Sequence, residues 1–180
     1  GRLALPLPAL PGPHQAENAA LAIAMLRHQD FISVSDAALA QGLGAAHWPA
    51  RLQLLSEGPL ADLAPGHEVW LDGGHNPDAG AALAKHFAQA HGLHLILGML
   101  DRKEPTALTA PLGDRIVSLH AVPVPGQDSH AAGAFGPNAR RADSVADALR
   151  AIPPDGLPIL IGGSLYLAGE VLRLNGSVPD

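Results

Sequence analysis

The sequence predicts an α/β fold: a mostly parallel sheet with helices on both faces, preceded by a short α-rich segment. From about residue 46 onward, short strand-like runs alternate with stretches of helical periodicity, the order that builds βαβ units. The runs are nearly continuous in apolar residues, as strands buried on both faces are. Glycine (20 residues) and proline (17) fall between the runs without a repeat, so they punctuate elements.

Residues 3–13, LALPLPALPGP, alternate Leu with Pro. Proline can neither continue a helix nor donate regularly to a ladder, so this stretch reads as an extended segment or edge strand. Over residues 14–29 the small and apolar Ala16, Ala19, Ala20, Ile23 and Leu26 recur at helical spacing, and a second short helix follows over 35–43 with Ser35 as its cap. Gly42, Gly44 and Pro49 then break the pattern, and the texture changes. Strands are expected at 52–56, 68–71, 93–97, 115–121 and 158–161, and helices at 78–91, 105–112, 143–151 and 165–174. Gly92 is expected to close the third helix. Residues 122–138, rich in Pro and Gly, read as a long loop over the sheet edge.

Composition excludes much. With no cysteine there is no disulfide, thiolate metal site or Cys nucleophile. A formal charge of −6 and only six aromatic residues argue against a nucleic-acid partner. No apolar run approaches a membrane span and the first residues lack a signal-peptide layout, so the expectation is a cytoplasmic protein without a membrane partner. Ten histidines show no HExxH spacing, and no P-loop, GxSxG or strand-led GxGxxG occurs. No metal site is expected.

Three strand-to-helix junctions could carry chemistry. In VWLDGGHNPDAG, Asp72 stands at a strand end, Gly73 and Gly74 permit a tight turn, His75 follows, and Asn76-Pro77-Asp78 opens a helix. The crevice beyond the strand ends is where open α/β sheets bind ligands. A carboxylate there suits hydroxyls such as a ribose pair and repels phosphate; equally, Asp72 and Asn76 can simply cap the turn. In PILIGGSLYLAGEVLR, the helix start at Gly162, Gly163 and Ser164 suits a carboxylate or phosphate, or Ser164 is an N-cap with Tyr166 and Leu167 in the core. In LILGMLDRKEP, Lys103 either meets an anionic substrate or belongs to a solvated charged turn.

Taken in order, five segments resemble the C-terminal part of the bifunctional folylpolyglutamate synthase/dihydrofolate synthase family, a branch of the Mur-ligase superfamily. PLPALPGPHQAENAALAIAML is similar to the family's L-G-x-H-Q-x-x-N-A-x-x-A helix and WPARLQLL to P-G-R-x-E. LDGGHNPDA matches D-G-A-H-N-P, GMLDRKEP matches G-x-x-x-D-K-D, and GGSLYLAGEVLR matches G-S-L-Y-x-x-x-E-x-R. Ala50 replaces the Gly before the arginine, Gln53 the acid after it, and Gly74 the usual Ala.

The resemblance implies a three-part enzyme in which a P-loop ATPase domain, with its Mg²⁺ ligands and carbamylated lysine, is covered by a Rossmann-like C-terminal domain. Residues 1–45 would be the tail of the ATPase domain and 46–180 the C-terminal domain; the absent P-loop would belong to an N-terminal portion missing from this chain. The implied reaction phosphorylates a dihydropteroate or folate carboxylate with ATP, and the amine of L-glutamate then attacks the acyl phosphate. Carried over by position, Asn18, Arg51, Asp72 and His75 would contact ATP, and Lys103 and Ser164 the glutamate α-carboxylate. Mg²⁺ would be held by the missing portion, and this chain alone would have no ligase activity. Two other readings are a free-standing nucleotide- or anion-binding module and a His-rich metal buffer.

Overall fold

The structure is a computed structural model that describes residues 3–10, 12 and 14–177. It consists of two compact units, Gly1–Pro49 and Ala50–Asp180. In the first unit, residues 3–10 are irregular and join no ladder, with the Ala9 N–H donating to the Leu43 carbonyl at 2.9 Å. Pro11 and Pro13 of the proline stretch lie outside the described residues. Helices α1 (His14–Arg27) and α2 (Asp36–Ala45) follow, and the Ser35 hydroxyl accepts the Ala38 N–H at 3.2 Å as the cap of α2. Alanine-rich composition suffices to make α1 helical. None of Ala16, Ala19, Ala20, Ile23 or Leu26 is buried, and Leu21, Met25 and Phe31 are 64%, 67% and 95% exposed.

The second unit is a six-stranded sheet built from β1 (Gln53–Leu55), β2 (Val69–Asp72), β3 (Leu93–Leu97), β4 (Ile116–Ala121), β5 (Arg140–Arg141) and β6 (Ile159–Gly162). Their spatial order is β1-β2-β6-β3-β4-β5, parallel throughout except for the antiparallel β1–β2 pair. The connecting helices are α3 (Pro77–His86), α4 (Thr106–Leu112), α5 (Val145–Arg150) and α6 (Leu165–Leu174). Successive side chains along a strand face opposite ways. Val69, Leu71, Ile96, Ile159 and Ile161 accordingly pack with α5 and α6, whereas Leu95, Leu97, Leu119 and Leu160 pack with α3 and α4. That double burial is why the runs are apolar without alternation.

Two expectations need correction. The third helix ends at His86, five residues early, and Gly92 does not close it. Phe87 leaves the helix to enter the core at 4% exposure, edge-on to Trp70 and His86 with ring centroids 6.2 and 4.8 Å apart, and the next residues form a turn through Ala90 N–H to Phe87 O. Gly92 instead opens β3, where a Cβ would lie 2.6 Å from Val117. Residues 122–138 are also more than a loop over the sheet edge. Leu100 and Ser129 form a bridge, His130 N–H donates to Met99 O at 3.0 Å, and Phe135 is buried before β5 extends the sheet beside β4.

At the opposite end from the strand C-termini, fully buried His94 lies between Ser118 Oγ (2.7 Å from Nδ1) and the Asp155 carboxylate (3.1 Å from Nε2), which pins the loop before β6 to the start of β3 and β4. His120 is also buried, and its Nδ1 has no partner among the described residues. Burial first, then the nearby Arg140 and His94, lowers its pKa. The unfolded chain takes up a proton near the usual imidazole value of about 6.5 while the folded chain resists it, so stability is lost as pH falls below that value. In urea titrations between pH 7 and 5 the midpoint is expected to fall with pH, and His120→Leu to flatten part of that slope; an unchanged slope would assign it to other groups.

No helix among the described residues is long and apolar enough to cross a membrane.

Candidate functional site

Strands β2 and β3 lead into α3 and α4 on one face of the sheet, and β6, between them, leads into α6 on the other. The loops after β2 and β6 therefore part, opening a crevice beyond the strand ends. Asp72, Gly162 and Leu97 lie side by side along its floor, because Asp72 pairs with Gly162 and Leu97 with Gly162.

Asp72 is 7% exposed. Its Oδ1 accepts the Gly74 N–H at 2.7 Å and its Oδ2 the Leu52 N–H at 2.8 Å. The carboxylate thus ties the end of β2 to a chain segment 20 residues earlier, while each oxygen keeps a second lone pair for a hydroxyl. Both residues also cap the turn: Asp72 through the Gly74 N–H, and Asn76 through its Oδ1, which accepts the Ala79 N–H at 2.9 Å at the start of the helix, with Pro77 following in the first turn.

The segment tied down by Asp72 is unusual. Ala50 and Leu52 have φ of +55° and +46°, although both carry side chains, and such left-handed residues cost about 1–2 kcal/mol each. Where the related motif has Gly, this chain has Ala50 in a conformation that favours glycine. Arg51 sits between the two. Its guanidinium lies over Gly73, where an added Cβ would be 3.4 Å from Nη1 and would collide with Leu165. Arg51 is half-buried and makes no ion pair among the described residues. His75, also half-buried, faces back to the Gly73 carbonyl at 3.3 Å. Arg51, Asp72 and His75 therefore share one end of β2.

Ser164 is 3% exposed and caps α6 by accepting the Tyr166 N–H at 3.1 Å. Leu167 is core, but Tyr166 is 54% exposed and is not. Lys103 lies in the loop after β3, half-buried and without an ion pair among the described residues; its carbonyl accepts from His130 Nε2 at 2.7 Å. Glu104 next to it folds onto Thr106, whose hydroxyl and N–H hold the Glu104 carboxyl below the usual range. Asn18 belongs to the first unit; it is exposed on α1, and its amide donates to Gln15 at 3.1 Å.

One site residue carried no assignment in the sequence. The Gln53 Oε1 accepts the Ala50 N–H at 2.9 Å, closing the turn that carries Arg51. Its only signal was its place in the arginine motif, where it stands for an acid that could accept the same bond.

No family model matches the chain. The folylpolyglutamate synthase of Lacticaseibacillus casei is 36% identical over 175 residues, which is 90% of this chain and 38% of that protein. The chain matches the folylpolyglutamate synthase/dihydrofolate synthase family. Solved members agree: a Mycobacterium tuberculosis folylpolyglutamate synthase complexed with ADP and AMPPCP aligns over 99% of this chain and 43% of its own, with a TM-score of 0.76 and 28% identity. A bifunctional folylpolyglutamate synthase/dihydrofolate synthase with Mn, AMPPNP and L-glutamate bound covers 94% of this chain and 41% of its own, with a TM-score of 0.71 and 28% identity. The chain spans about a fifth to two-fifths of the length of the curated relatives it matches. Five motifs in order, which as single patterns would carry little weight, thus correspond to similarity along nearly the whole chain.

Proposed function

We propose that this chain is the part of an ATP-dependent ligase that grips nucleotide and glutamate, in an enzyme that joins L-glutamate to dihydropteroate or folate. The observation that carries the proposal is the Arg51 turn: a cation without an ion pair among the described residues, placed over Gly73 by two left-handed residues. Strain of this kind is held only where the surroundings over-determine it, and it concentrates at ligand clamps. The neighbours bound to ADP, AMPPCP, AMPPNP and L-glutamate support the same ligands here.

In this reading the Arg51 fork takes phosphate oxygens, Asp72 takes ribose hydroxyls through its remaining lone pairs, and His75 packs against the nucleotide. Lys103 and Ser164, with the first turn of α6, hold the α-carboxylate of glutamate. The contribution to rate is positioning and charge stabilisation, since phosphoryl transfer asks little covalent chemistry of the protein. In the same reading Mg²⁺ is held, with the P-loop, by polypeptide outside this chain. Residues 1–45 are then the tail of the ATPase domain. In this reading the exposed Leu21, Met25, Phe31 and Ile32 of the unit are side chains available to pack against further protein.

Calorimetry with ADP tests the grip. Binding by the 180-residue chain is expected, and Arg51→Ala should weaken it about tenfold or more, the range for a charge-assisted hydrogen bond. Equal affinity of the two proteins would refute the assigned role of Arg51. Purified chain given ATP, folate and glutamate is expected to form no ADP, and turnover would contradict the division of labour proposed here.

A further inference from the structure

We propose that Gln53 is a positioning residue for Arg51, an inference that rests on the nucleotide-phosphate reading of Arg51. The turn from Ala50 to Gln53 is held by three hydrogen bonds. Leu52 N–H donates to Asp72 Oδ2 at 2.8 Å, Gly73 N–H donates to Ala50 O at 2.8 Å, and Ala50 N–H donates to Gln53 Oε1 at 2.9 Å. The first two join the turn to the end of β2. The third is the only one made by a side chain of the turn itself.

Each bond acts on one of the two residues with positive φ, Ala50 at +55° and Leu52 at +46°. Without such bonds the backbone of an alanine and a leucine returns to negative φ. Arg51 lies between them, so a change of φ on either side swings its side chain away from Gly73. Gln53 is fixed in turn by the sheet, since it opens β1 opposite Leu71. The chain of cause runs from strand pairing, through the Gln53 amide oxygen, to the direction of the guanidinium. Only an acceptor is needed at that position, which a carboxylate supplies equally well and a methyl group does not.

The test uses the isotope-labelled 180-residue chain as wild type, Gln53→Ala and Gln53→Glu. In Gln53→Ala, amide exchange at Ala50 and Leu52 is expected to accelerate about tenfold, the Arg51–Gly73 nuclear Overhauser contact to disappear, and ADP affinity to fall about five- to tenfold. Amides of β3 should keep wild-type exchange, and Gln53→Glu should restore all three readouts. Unchanged exchange at Ala50 and Leu52 would overturn the proposal, as would an altered turn with unaltered ADP affinity, or a failure of Gln53→Glu to restore either. A wild-type chain that binds no ADP would refute the nucleotide reading instead. The exchange rates and the Arg51–Gly73 contact would then decide by themselves whether Gln53 positions Arg51.

Discussion

Asp72→Ala is expected to destabilise the Ala50–Asp180 unit by about 3 kcal/mol, because it strands two backbone N–H groups, those of Leu52 and Gly74, in a buried site. Leaving a buried donor unpaired costs about 1–3 kcal/mol, and here the loss also releases a turn that already holds two left-handed residues. Asp72→Asn retains one acceptor oxygen, so it should cost about half as much. Urea unfolding followed through Trp70, in a Trp48→Phe background, reads this unit alone. A midpoint shift with unchanged slope is the expected signature. A loss below about 1 kcal/mol for Asp72→Ala would mean that the turn does not depend on this carboxylate.

A loss of similar size, about 3 kcal/mol, is expected for Gly163→Ala. Gly163 has φ +100°, beyond the left-handed region that other residues occasionally occupy. An added Cβ would also stand 2.7 Å from Leu97 Cδ1 and 2.8 Å from the Gly98 carbonyl. Backbone cannot yield cheaply there, because Gly98 N–H donates to Gly162 O at 3.1 Å across the same strand ends. Strain and overpacking each contribute about 1–3 kcal/mol. The control lies in the helix that follows: Gly169, exposed on α6 with nothing within 4 Å of its added Cβ, should gain about 0.5–1 kcal/mol on change to Ala. Opposite signs for the two glycines would separate a conformational requirement from helix propensity. Equal signs would contradict it.

The strands most legible in the sequence are those buried on both faces. Leu93–Leu97 is found with its expected bounds because five consecutive buried positions admit only apolar residues apart from His94, which is satisfied by Ser118 and Asp155. Strand β5 is two exposed arginines. Nothing local marks it as a strand, since what makes it one is its pairing with β4. The end of α3 was missed for a related reason: residues 88–91 suit a helix, but Phe87 gains more by filling the core beside Trp70 than by continuing one. At the site, residue types and their strand-end positions were readable for Asp72, His75, Lys103 and Ser164, whereas Arg51 came only from the resemblance of its motif. The partners of Asp72 and Gln53 were not readable, because the bond to Leu52 spans 20 residues and both depend on an antiparallel β1 that periodicity alone does not orient.

By itself, then, the sequence determined the strand–helix alternation, the two-faced parallel sheet, the capped turns after β2 and β6, and the run of motifs shared with the folylpolyglutamate synthases. These follow from local chemistry: burial demands continuous apolar strands, helix starts demand Asn76 and Ser164, and a φ of +100° demands Gly163. Tertiary structure alone decided what Asp72 holds and what holds Arg51. A carboxylate or an amide oxygen has no fixed partner until the chain returns to it, and here β1 brings Leu52 to Asp72 while the turn brings Ala50 to Gln53.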